Sequence, residues 1–203
     1  SCQRQPLTIM LILNIRIMNK LFLLLLLICR KEVFAQQAFD TAEVKAQLKV
    51  IFERDQKTRL GTDSIAFAQY IDSTNLVQVE LILEKYGWLG RSSVGDTANS
   101  AIFLVIQHAD LKTQIKYISL LEKSVNIGQS RPSNLALLQD RILMRQGKKQ
   151  IYGSQVVQNK SGGHEFYPIE DEKNVNIRRA KIGMQPLEEY AKYFGIEYKL
   201  PKN

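Results

Sequence analysis

Cysteine is nearly absent from this chain. Its 203 residues include two, Cys2 and Cys29. Residues 36–203 have none, which excludes a disulfide framework, a thiol nucleophile and thiolate metal ligands there. Histidine is equally scarce, with His108 and His164 alone. No His-x-x-x-His or His-Glu pair falls on one helix, so neither a metal site nor a cofactor is expected. There is no Gly-x-Ser-x-Gly elbow, and Ser154 is only a weak hydroxyl nucleophile candidate. The glycine-punctuated stretch Gly87–Gly95 lacks a Gly-Lys-Ser/Thr ending and a preceding strand, which excludes a phosphate-binding loop. No Lys/Arg-rich run carries interleaved aromatics, so nucleic acid is not an expected partner. The apolar run Leu21–Cys29 is nine residues long, against the roughly 20 that a membrane-spanning helix needs.

That run has another reading. Met18-Asn19-Lys20 is a short basic start, Leu21–Cys29 an apolar centre, and Val33-Phe34-Ala35 a small-residue cleavage pattern. Residues 18–35 read as a secretory signal peptide. Residues 1–17 read as upstream sequence, with the natural start at Met18. The expected product begins at Gln36 and is exported, periplasmic or secreted, with no membrane span. An uncleaved anchor is the alternative, given the charged Arg30-Lys31-Glu32. Lipid attachment at Cys29 is weaker still, because Ile28 is a poor fit to the small residue expected before it.

Much of the formal charge of +8 belongs to this leader. Without residues 1–35 the chain keeps 23 basic and 19 acidic residues, a net +4 that is ordinary for a domain. The remaining 168 residues suit one domain with a substantial core. No repeat or low-complexity linker divides them.

Apolar residues recur at helical spacing through most of the domain. Phe39–Arg59 reads as a helix on the stripe Val44, Leu48, Ile51 and Phe52. Gly61-Thr62-Asp63 is a break. A short helical stretch Ser64–Asp72 follows, then a helix capped by Ser73 or Thr74 and closed by Gly87. Asp96 is expected to cap Thr97–Ala109. Asp110 should cap Leu111–Ile127, with the stripe Leu111, Ile115, Ile118, Leu121 and Val125. Ser133 or Asn134 opens a helix through Arg145. The pattern then becomes β-branched and alternating: Gln150–Gln158, a turn at Asn159–Gly163, and His164–Ile169 read as a β-hairpin. Short helices follow within Glu170–Lys181 and from Pro186-Leu187. The fold class expected is mainly α, an antiparallel helical array with one C-terminal β-hairpin near residues 150–169.

Polar residues interrupt the apolar stretches, and such groups are costly unless paired or used. His108 shares a face with Ala98, Ala101, Leu104 and Val105. It is either a hydrogen-bonded core histidine or an acid/base at a helix end. Gln107 lies one step around the helix. Asp140-Arg141 sits on a helix apolar nearly all round. Asp140 either joins an ion-pair network with Arg178 or Arg179 or orients His108, while an arginine binds an anionic group.

Taken together, these segments resemble a bacterial family, domain of unknown function 6624. The matching pieces are Tyr86-Gly87-Trp88, Val94-Gly95 with Ala98 and Ala101, Gln107-His108-Ala109-Asp110, Asp140-Arg141, and Gly147 to Gln150 with Tyr152-Gly153 and Gln155. Pro168 to Asp171, Arg178-Arg179-Ala180 through Gly183, and Pro186-Leu187 complete the set, over about residues 43–193. Leu89 and Ser154 stand where the family often has Pro and Thr. The resemblance supports a shared site without naming a reaction.

The functional expectation is an exported bacterial protein with a pocket for a small polar or anionic ligand. As an enzyme it would use His108 and Asp140 for catalysis, with Gln107, Arg141, Gln150, Tyr152, Gln155 and Arg178 binding the substrate. The alternatives are a non-catalytic binding domain and a structural or interaction protein.

Overall fold

A computed structural model describes Met18, Lys20, residues 41–61 and residues 64–201. The expected signal segment, apart from Met18 and Lys20, lies outside the described residues, as do Thr62 and Asp63 of the expected break. The chain divides into two units, Ser1–Glu43 and Val44–Asn203, and the helical body belongs to the second. The described residues are mainly helical, with one two-stranded antiparallel hairpin near the C-terminus, as expected. No described helix is long and apolar enough to cross a membrane.

Helix α1 covers residues 41–60. Val44, Leu48 and Ile51 are buried, and Asp55 and Thr58 continue the same stripe. Helix α2, Ile65–Tyr86, is a single element capped by the Ser64 hydroxyl, which accepts from the Phe67 N–H. The expected boundary near Ser73 and Thr74 does not exist. Their hydroxyls donate to the Gln69 and Tyr70 carbonyls, each at 2.9 Å, and so are satisfied inside the helix. Gly87, with φ of 69°, ends it as expected.

The short helix α3, Arg91–Val94, interrupts the loop after Trp88. Helix α4, Asp96–His108, starts without a side-chain cap, so Asp96 only lends its charge to the first turn. Helix α5 is Leu111–Asn126, and Asp110 caps it as expected, accepting from the Thr113 N–H at 2.7 Å. Its buried face is Gln114, Tyr117, Leu121 and Ser124, one position off the expected stripe, leaving Ile115 exposed. Gln114 is drawn inward because its amide donates to the Gln107 carbonyl at the end of α4. Helix α6 is Pro132–Arg145. It opens on Pro132, whose missing N–H costs nothing in the first turn, rather than on Ser133 or Asn134. Helix α4 packs against α2, α5 and α6, and its apolar residues centre the main core.

The hairpin is shorter than expected. Strands β1, Val156–Gln158, and β2, His164–Phe166, pair antiparallel, while Gln150 and Ile169 make only an isolated parallel bridge. Residues 151–155 instead wrap around Asp140. Helices α7, Val175–Lys181, and α8, Leu187–Ala191, close a second apolar cluster of Ile169, Val175 and Leu187, joined by Phe166, Tyr190 and Tyr198. Gly153 fits between them at φ of 68°, and a Cβ there would meet Ile169 and Leu187 methyl carbons at 3.0 Å. Both φ and space oppose a side chain. Gly153→Ala should therefore cost about 2 kcal/mol of unfolding free energy, read from urea titration.

Candidate functional site

His108 is the last residue of α4 and faces a cleft of about 440 Å³ between α2 and α4. Gln69, Asp72, Ser73, Leu76, Val105 and Ala109 share its lining. The imidazole is partly exposed, at 23% of its side-chain surface. Its Nδ1 lies 3.1 Å from Asp55 Oδ1, on α1. Arg59 is four residues further along α1, hence on the same face. Its Nη2 lies 2.8 Å from His108 Nδ1 and 3.4 Å from Asp55 Oδ1, and it pairs closely with Asp72 Oδ1 on α2. Three helices thus bring four titratable side chains to one point on the cleft wall.

Asp55 is the buried member, with 2% of its side chain exposed. Burial pushes its carboxyl up. The His108 hydrogen bond, the His108 and Arg59 charges and a hydrogen bond from Gln56 outweigh that, holding it below the ordinary carboxylate range. Sequence reading passed over Asp55, Arg59 and Asp72. The signal was an acid continuing the apolar series Val44, Leu48 and Ile51.

The residues singled out from sequence form a second, adjoining network. Asp140 is wholly buried. Its carboxylate accepts from the backbone N–H groups of Ile151 at 2.7 Å, Tyr152 at 3.1 Å and Ser154 at 3.0 Å. The expected pairing of Asp140 with His108 is therefore replaced on both sides: Asp55 holds the histidine, and loop amides occupy the aspartate. The alternative ion pair with Arg178 or Arg179 is not formed either. Arg178 donates to the carbonyls of Ile151, Glu170 and Asp171, tying two loops together. Arg179 is fully buried, donates to the carbonyls of Gln185 and Tyr152, and lies 4.9 Å over the Tyr190 ring. Tyr152 enters the network through its backbone.

Gln107, Gln155 and Arg141 do converge. The Gln107 and Gln155 amides both donate to the Leu137 carbonyl, at 3.4 and 3.3 Å. Arg141 Nε donates to Gln155 Oε1 at 3.0 Å. The Gln150 side-chain amide braces Gln155, donating through Nε2 to its carbonyl at 3.0 Å and accepting at Oε1 from its backbone N–H at 2.8 Å. Arg141 is half-buried, and among the described residues no carboxylate lies within ion-pair distance of Arg141 or Arg145. Burial pulls the Arg141 guanidinium down from its ordinary range, and the charges of Arg145 and Arg59 act in the same direction. Arg145 in turn donates to the Ala109 carbonyl at 2.5 Å, beside His108. Arg141 and Arg145 therefore bring two guanidinium groups without an ion-pair carboxylate toward the His108 end of α4, where Arg59 is already paired with Asp55 and Asp72.

A family described as "Family of unknown function (DUF6624)" matches residues 32–202. The chain belongs to DUF6624. No curated protein and no solved structure matches it. The resemblance read from the sequence motifs is thus correct. In this DUF6624 chain those motifs divide between two tasks: Asp140, Gln150 and Arg178 build the loop, while His108 and Arg141 face the charged region.

Two outcomes follow. Asp140→Asn sets an amide among three N–H donors and should lower unfolding free energy by about 3 kcal/mol in urea titration. Asp55 has a native pKa below its unfolded value, near 3.9. Its contribution is complete above that value and is lost as pH falls through the native one. Between pH 5 and pH 3 the urea midpoint of the native chain should fall more than that of Asp55→Asn.

Proposed function

We propose that this DUF6624 chain binds a small anionic ligand at the His108 end of α4. Arg141 and Arg145 supply charge, and the imidazole donates a proton or hydrogen bond through Nε2. The observation that carries this reading is the partly desolvated Arg141 charge, repelled by two other arginines and balanced by no carboxylate among the described residues. Leaving a charge unpaired away from water is unfavourable, and an anion at that point removes the penalty. Guanidinium groups suit carboxylate and phosphate because they offer paired donors in a plane. The Asp55 and Arg59 contacts at Nδ1 fix the ring and leave Nε2 for the ligand. Proton transfer at Nε2 makes this an acid/base site, so enzymatic turnover is the extension of the binding reading. The leader at residues 18–35 supports an exported chain that meets its ligand outside the cytoplasm.

Calorimetric titration with inorganic phosphate and with malonate tests the binding step. Saturable binding of one of them, weakened about tenfold or more in Arg141→Gln and by added salt, is the expected result. Absence of saturable binding by both probes, or full affinity in Arg141→Gln and in Arg145→Gln, overturns it.

A further inference from the structure

We propose that Asp55, Asp72 and His108 hold a divalent metal ion, with Arg59 occupying the ion's position until it arrives. The inference rests on the proposed anionic ligand for what the ion would meet, and on its own geometry for the ion itself. One donor atom from each of the three side chains lies within 4.8 Å of the other two. Neighbouring donors around one ion at about 2.1 Å lie roughly 3.0–3.6 Å apart, so side-chain rotations that move donor atoms by about an ångström close the set. The donors come from α1, α2 and α4, which is why a search for ligand pairs on one helix misses them.

The contacts at His108 Nδ1 argue for a cation of another kind than guanidinium. Nδ1 faces the Asp55 carboxylate at 3.1 Å and the Arg59 guanidinium at 2.8 Å. A protonated Nδ1 satisfies Asp55 but opposes the N–H of Arg59. A bare Nδ1 accepts from Arg59 but sets its lone pair against Asp55. Neither tautomer satisfies both neighbours. A metal ion takes lone pairs from Nδ1 and both carboxylates at once. Its two charges also balance the two aspartates, where Arg59 balances only one.

Arg59 can be displaced by an arriving ion, because a third of its side chain is exposed and its charge is replaced by the ion's. Three protein donors leave coordination positions open for water or an anion, the arrangement of catalytic rather than structural sites. Two carboxylates suit a hard ion such as Mn²⁺, which also accepts an imidazole nitrogen.

The test uses the full chain after EDTA dialysis, in a buffer free of phosphate and carboxylate. Titrated with MnCl₂, it should remove the six-line electron paramagnetic resonance signal of free Mn²⁺ at one ion per chain. Asp72→Asn, a partly exposed position expected to fold, should bind at least tenfold more weakly. Arg59→Met, which removes the competing cation, should bind at least as tightly as the native chain. An undiminished Mn²⁺ signal, or equal affinity in Asp72→Asn, overturns the metal site. Phosphate binding repeated with and without Mn²⁺ separates the two readings. Phosphate bound in EDTA alongside an undiminished Mn²⁺ signal removes the metal and keeps the anion site. Mn²⁺ bound without phosphate does the reverse.

Discussion

The Asp55 carboxylate is buried among the helices that line the cleft, and a charge in that position must be paired. Its partners decide the form of the site. His108 is drawn to it from the end of α4, and Arg59 reaches it from one turn along α1. Asp72 then joins through Arg59 from α2. Remove the carboxylate, and the histidine loses its orientation while three helices lose a shared contact. The position of the charge follows from simple periodicity, since Asp55 stands where a fourth apolar residue would continue the buried stripe of α1.

A second buried carboxylate organises the other half of the domain. Asp140 gathers the amides of Ile151, Tyr152 and Ser154 and so turns a β-branched segment away from strand pairing. This places Gln155 against Leu137 and Arg141, and it sets Tyr152 where Arg179 can reach its carbonyl. The two carboxylates thus do comparable work through different partners. Asp55 holds side chains that can meet a ligand, whereas Asp140 holds backbone. The two networks meet through Gln107, which precedes His108 and shares the Leu137 carbonyl with Gln155.

Much of the architecture was legible from periodicity and caps. The helices, the Asp110 cap, the Gly87 terminator and the short hairpin are local features whose determinants lie within a few residues. The boundary placed near Ser73 failed because a hydroxyl that caps a helix can equally bond back to a carbonyl inside one. The strand assigned to residues 150–155 failed because a distant carboxylate competed with sheet hydrogen bonding. At the site, the convergence of Gln107, Arg141 and Gln155 was readable as polar residues on apolar faces. The His108 partner was not, because the sequence distance from Asp55 to His108 carries no local signal. Asp140 looked catalytic for the reason that it is structural: it is a buried acid, and buried acids serve either purpose.

In the proposed site, His108 is the histidine that meets the anion. His164 provides an internal control, because it is exposed on β2 and the chain has no third histidine. Long-range ¹H–¹⁵N spectra of the imidazole rings, recorded through a phosphate titration at fixed pH and ionic strength, address the claim directly. The expected result is saturable displacement of the His108 ring signals, with the Arg141 Nε–H signal moving on the same curve and His164 unchanged. Equal displacement of both histidines, or movement of His164 alone, would contradict it.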